Sequence, residues 1–169
     1  MATPLDGIIS CKGFAYNICN KNTVGDNQFI RLGTISGVIG SHIKIECLLG
    51  NSNIQGSTEP DNILPTNVNA PILLTIYGSF HDNSTGPGCC NFEGYYTIVG
   101  NNTNTISAVY VELIGGSNYN YNVYIRVNSS STNLNYFVYL PNNCIWENDG
   151  GSYPGFVLED SRRYEYPKL

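Results

Sequence analysis

The residues with the chemistry for catalysis or metal binding are few: two histidines, six cysteines and thirteen carboxylates in 169 residues. His81-Asp82 precedes the pair Cys89-Cys90 in one loop-like stretch, which raises a thiol nucleophile or a metal site. Adjacent cysteines are poorly placed for one tetrahedral zinc ion, and the spacing is not Cys-x-x-Cys. His42 alternates with apolar residues and belongs on the polar side of its segment. Asp61, Asp82 and Asp149 have no calcium-loop spacing and read as turn carboxylates. Glu93, Glu112 and Glu147 are the candidates for a glycosidase pair, but nothing in the sequence places two of them at the ~5–9 Å that such chemistry needs. Gly-x-Ser-x-Gly, P-loop and His-Glu-x-x-His patterns do not occur. The expectation is a protein without catalytic residues, cofactor or metal.

Binding chemistry is better supplied. Asn118 to Val127 reads NYNYNVYIRV, which brings Tyr119, Tyr121 and Tyr124 close to Asn118 and Asn120. Tyrosine offers a flat, rigid apolar face with a hydrogen-bonding tip, and asparagine adds amide donors and acceptors. Tyr136 and Tyr139 follow on the next segment. The alternative is that these rings pave the wet face of a sheet or a subunit contact. Asn83, Asn101 and Asn128 begin Asn-x-Ser/Thr sequons, so they are the possible glycosylation sites.

The elements that would position these residues are strands. The longest stretch free of Gly, Pro and Asn is the eleven residues Phe156 to Tyr166, which leaves little room for helices. Alternation recurs instead. Ile43, Ile45, Cys47 and Leu49 share one face of a strand, Val109, Val111 and Leu113 a second, and Val123, Ile125 and Val127 a third. Together with Leu74 and Ile76 they predict the core, and each strand should be wet on its other face. Further strands are expected over Ile8–Ile18, Gln28–Ser36, Ile72–Gly78, Tyr95–Val99, Tyr136–Leu140 and Cys144–Glu147. Asn-Asn and Gly-Gly pairs separate them. The pattern predicts an all-β fold, an antiparallel two-sheet β-sandwich, jelly-roll-like, with little or no helix. One domain spans 1–149 and an extended tail 150–169. Two long connections, Gly50 to Pro71 and Phe80 to Phe92, are candidates for a variable binding surface. Cys47 should be a buried thiol. Cys11 and Cys19 are spaced to cross-link a hairpin.

Charge narrows the partners. Net charge is −5 with only eight Lys and Arg, so the footprint of a nucleic-acid binder is missing. No apolar run approaches the ~18 residues of a membrane span, and no membrane insertion is expected. The opening MATPLDGIIS lacks the basic and apolar regions of a secretory leader.

Four segments carry a resemblance. FIRLGTISG (Phe29 to Gly37) has a Leu-Gly-Thr turn, and HIKIECLLGN (His42 to Asn51) alternates into a small-residue turn. Ile72 to Gly78 is a central apolar strand, and VYVELIGGSNYNYNVYIRV with NYFVYLPNN leads to Trp146. In this order they resemble the β-sandwich head domains of viral and phage fibres. The likeness covers Gln28 to Trp146 and lacks the fibrous shaft of that family. It implies a non-enzymatic virion surface protein, a fibre or spike head or a capsid surface component. Such a protein would be a homotrimer or would bind other virion proteins, and would attach to a host-surface glycan or protein. The competing expectation is a soluble carbohydrate-binding module or lectin. An enzyme on the same sandwich is a third.

Overall fold

The computed structural model describes residues 11–22, 28–51, 72–82, 90–100, 106–114, 119–127, 131–148 and 162–169. Among them there are ten strands and no helix: β1 (Cys11–Asn22), β2 (Gln28–Ser36), β3 (His42–Asn51), β4 (Ile72–Phe80), β5 (Phe92–Val99), β6 (Ile106–Leu113), β7 (Asn120–Val127), β8 (Ser131–Pro141), β9 (Ile145–Asn148) and β10 (Arg163–Glu165). They form two five-stranded sheets packed as a sandwich. Sheet A has the order β1-β8-β3-β4-β5 and sheet B the order β10-β6-β7-β2-β9. Every pairing between these strands is antiparallel.

The core lies between the sheets and follows from the alternation. Ile43, Ile45, Cys47, Leu74, Ile76, Val109, Val111, Val123, Ile125 and Val127 are all buried, and Leu113 packs half-buried against them. Tyr136 ties the layers together: its ring is buried and its hydroxyl donates across the core to the Leu32 carbonyl at 2.7 Å. Glycines make room for large rings. A Cβ at Gly78 would strike the Phe92 ring, and one at Gly94 would strike the Tyr166 ring. Gly40 turns the chain between β2 and β3 at φ +82°, in the left-handed region that glycine tolerates.

Several expectations are corrected. The Leu-Gly-Thr segment is not a turn. Gly33 lies inside β2 at a register shift, where a Cβ would collide with the Trp146 ring and the Glu147 carbonyl. The extra residue lets Leu32 and Ile35 both point inward despite their odd spacing. Strands β6 and β7 are not wet on one face. Phe29, Ala108, Tyr110 and Tyr124 form a second buried cluster on the outer side of sheet B. Cys11 and Cys19 lie on the same strand, β1, so they do not face each other across a hairpin. Eight residues of extended chain separate them by about 26 Å, against the ~7 Å limit for a disulfide. Cys47, Cys90 and Cys144 are free and buried.

The last residues of the chain join both sheets. Arg163, Tyr164 and Glu165 pair with Glu112, Val111 and Tyr110 of β6. Tyr166 then turns inward, 4% exposed, and its hydroxyl donates to the Phe92 carbonyl of sheet A at 2.9 Å. Beyond it the Tyr96 amide donates to the Pro167 carbonyl and the Leu169 amide to the Tyr96 carbonyl. Residues 163–169 of the tail therefore add to both sheets of the same chain.

Candidate functional site

The residues singled out for binding divide sharply. Tyr121 is buried, its ring within 5.6 Å of Phe92 between centroids, and its hydroxyl accepts the Asn91 amide at 2.9 Å. Tyr124 is 2% exposed. Its hydroxyl donates to Glu112 at 2.7 Å, and burial together with that carboxylate pushes it up to about 12. Tyr119 and Asn120 are half-buried, and Tyr119 packs against the core. Tyr121 and Tyr124 therefore offer no surface to a partner. The strand is covered on both sides because polar partners meet it on the outer one. Thr34 donates to Asn122 at 2.7 Å, Asn122 donates to Glu112 at 3.1 Å, and Arg163 places two N–H groups on Glu112 at 2.6 and 2.9 Å. Burial pushes the Glu112 carboxyl up, but these donors and the Arg163 charge outweigh it and hold it below the ordinary carboxylate value. Asn118 and the sequons Asn83, Asn101 and Asn128 lie outside the described residues, as do most of the connections Gly50 to Pro71 and Phe80 to Phe92.

Among the described residues the catalytic candidates do not assemble; Asp61, Cys89 and Asp149 lie outside them. Glu112 and Glu147 fall in one register row of sheet B, through Asn122 and Thr34. Three strand spacings put their backbones about 14 Å apart, beyond glycosidase range. Glu93 stands on the other sheet. Cys90 is buried beside Phe92, and burial pushes its thiol up to about 11, which disfavours the nucleophilic thiolate. His42, His81 and Asp82 are exposed. No group of three or more His, Cys, Asp or Glu side chains suited to a metal ion occurs among the described residues.

The exposed aromatic surface is instead on the outer face of sheet A. Strand β8 alternates strictly: Leu134, Tyr136, Val138 and Leu140 are buried, whereas Phe137 and Tyr139 are 44% and 37% exposed. Cross-strand register then builds a row over four strands, Tyr139–Lys44–Tyr77–Tyr95. Tyr77 and Tyr95 stack with centroids 4.8 Å apart. Lys44 Nζ sits 4.5 Å over the Tyr139 ring and 3.0 Å from Glu46, which also accepts the Tyr139 hydroxyl at 3.1 Å. Glu46 raises the Lys44 amine above its usual value, and Lys44 lowers the Glu46 carboxyl. Phe137 stacks on Tyr139 at 6.5 Å. A second row, His42–Ser79–Glu93, lies beside the first toward the β2–β3 turn.

Two open grooves run along the tyrosine row on that side. One, of about 450 Å³, is lined by His42, Tyr77, Ser79, His81, Glu93 and Tyr95. The other, of about 410 Å³, is lined by His42, Lys44, Tyr77, Tyr139, Pro141 and Asn143. Both fall in the size range of small-ligand sites. His42, Ile43 and Tyr77 belong to both, so the grooves meet at Tyr77. The arrangement offers flat apolar faces flanked by hydroxyl, imidazole, amide and carboxylate groups, without a nucleophile–base pair. Sequence reasoning reached Tyr139 and His42 but missed Tyr77, Tyr95 and Phe137. The available signal was that aromatic residues occupied the polar phase of alternating strands.

No family model and no curated protein matches the chain. Among solved structures it is similar to Pantoea stewartii WceF, described as a glycan biofilm modifying enzyme with a bacteriophage tailspike-like parallel beta-helix fold. Identity is 15% and the TM-score 0.59, over 90% of this chain and 22% of that one. At that identity the likeness concerns the fold alone. The named strands here pair antiparallel in two sheets, unlike the parallel β-helix of that description.

Proposed function

We propose that the chain is a non-catalytic attachment module, a fibre or spike head or a capsid surface component of a virus-type particle, that binds a host-surface glycan or protein. The observation that carries the reading is the row Tyr139–Lys44–Tyr77–Tyr95 on the outer face of sheet A, exposed at Tyr139 and Tyr95 and half-buried at Lys44 and Tyr77, with a groove along it. A sheet face normally turned to water is built mostly of polar residues. Here it presents four aromatic rings, including Phe137, held by stacking and by the Lys44–Glu46 pair. The reading includes a homotrimer, placement on the virion surface, and no role for nucleic acid, membrane insertion, metal or cofactor. The description of WceF names a glycan and a tailspike-like fold, and that wording is compatible with a glycan-binding reading of this chain. A soluble lectin is the second reading, supported by the same rings and grooves.

The test is attachment by the purified protein to a panel of cells and glycans, compared with a folded Tyr77→Ala/Tyr139→Ala double variant. The reading predicts attachment by the parent and its loss in the variant. Equal attachment by both would remove sheet A from the account. Light scattering separates the two readings: a trimer favours the fibre head, and a glycan-binding monomer favours the lectin.

A further inference from the structure

We infer that the two grooves form one continuous track for a neutral oligosaccharide lying across the strands, with Tyr77 as the ridge between two subsites. The inference rests on the attachment reading above and names its ligand. Geometry supplies the length. The row runs from β8 to β5, three strand spacings or about 14 Å, a span of about three pyranose rings. Both grooves lie on the same side of that row and share His42 and Tyr77 at their junction. A ligand filling one therefore meets the other without turning a corner.

Chemistry supplies the class. Pyranose rings have apolar C–H faces and equatorial hydroxyls, so they ask for aromatic faces with donors and acceptors at the rim. Tyr95 and Tyr77 line the first groove as a stacked pair, each with one face turned to the other, and His42, His81 and Glu93 stand at the rim. Tyr139 lines the second, with Lys44 over one face of its ring and Asn143 beside it. Charge gives an anionic ligand no free cation to pair with. Lys44 is paired with Glu46, 3.0 Å away, and the first groove is lined by Glu93 and by no lysine or arginine. A sulfated or sialylated chain would meet the Glu93 carboxylate in this track, and the one lysine among its lining residues is already paired with Glu46.

The experiment is calorimetric titration of the full chain with neutral gluco- and galacto-oligosaccharides of one to five units, and with sialylated and sulfated counterparts. Affinity is expected to rise about tenfold or more from monosaccharide to trisaccharide, as each further ring gains a stacking contact, and then to level off. Tyr77→Ala should bring the trisaccharide down to the monosaccharide level. Tyr77→Phe, which keeps the ring and the fold, should stay within about threefold of the parent. Raising salt should leave the affinity unchanged, since no counterions are released. Equal affinity for one and three units, tighter binding of the anionic series, or an unaffected Tyr77→Ala protein would overturn the inference. Attachment to cells that is lost in Tyr77→Ala, with no saccharide bound, would overturn it while leaving the attachment reading intact. Absence of any attachment would overturn both.

Discussion

Replacing Tyr166 with alanine tests how the sandwich is closed. The side chain is 4% exposed, fills the space above Gly94, and stands 6.1 Å from the Phe92 ring between centroids. Truncating a buried aromatic costs about 3–5 kcal/mol. The lost hydroxyl also leaves the Phe92 carbonyl without that donor, a further ~1 kcal/mol. The sum, about 5 kcal/mol, is a large fraction of the ~5–15 kcal/mol that holds a domain together. For a chain of this size about 2–4 °C accompanies each kcal/mol, so the melting temperature should fall by about 10–20 °C. Tyr166→Phe keeps the ring and should cost only about 1–2 kcal/mol. Calorimetric melts of the three proteins give the comparison. A loss below about 1 kcal/mol in Tyr166→Ala would mean that residues 162–169 do not belong to the cooperative core, and the account of the closed sandwich would be wrong.

Other consequences follow from the same packing. Glu112 is held below its ordinary value, so its contribution to stability is present above that value and is lost as pH falls through the folded one. Glu112→Gln should flatten the acid limb of a stability–pH curve, and an unchanged limb would deny the clamp on β10. At the alkaline end, Tyr110 and Tyr124 are raised from about 10 to about 12 by burial and by Glu165 and Glu112. The unfolded chain ionises them first, so stability should fall across that interval, and Tyr124→Phe should weaken the fall. Ile125→Ala should cost about 2–5 kcal/mol in a denaturant melt, because the side chain is wholly buried between the sheets. Cys90 should resist alkylation in the native protein at neutral pH and react once unfolded, given its burial and raised thiol. Rapid native labelling would contradict its placement.

The sandwich was legible because strands β3, β6 and β7 carry aliphatic residues with period two, and a shift of one residue would have turned Lys44 toward the core. What escaped was which sheet face is wet. Val123, Ile125 and Val127 mark the inner side of β7, but nothing local reveals that Thr34, Glu112 and Arg163 arrive from other strands to cover its outer side. The richest tyrosine segment, NYNYNVYIRV, therefore became a buried strand. The exposed rings are Tyr95, Phe137 and Tyr139, and the half-buried Tyr77 joins Tyr95 only through the β4–β5 register. Likewise the arrival of Arg163 opposite Glu112 depends on long-range pairing that no local pattern encodes.

The central claim is that the working surface is the outer face of sheet A and not the tyrosine-rich strand of sheet B. Tyrosine ring resonances, assigned by single Tyr→Phe substitutions and followed by NMR as a bound neutral trisaccharide is titrated in, test it directly. The account predicts shifts confined to Tyr77, Tyr95 and Tyr139, with Tyr121, Tyr124 and Tyr136 unmoved. Shifts at Tyr119 and the neighbouring β7 residues, with sheet A silent, would contradict it.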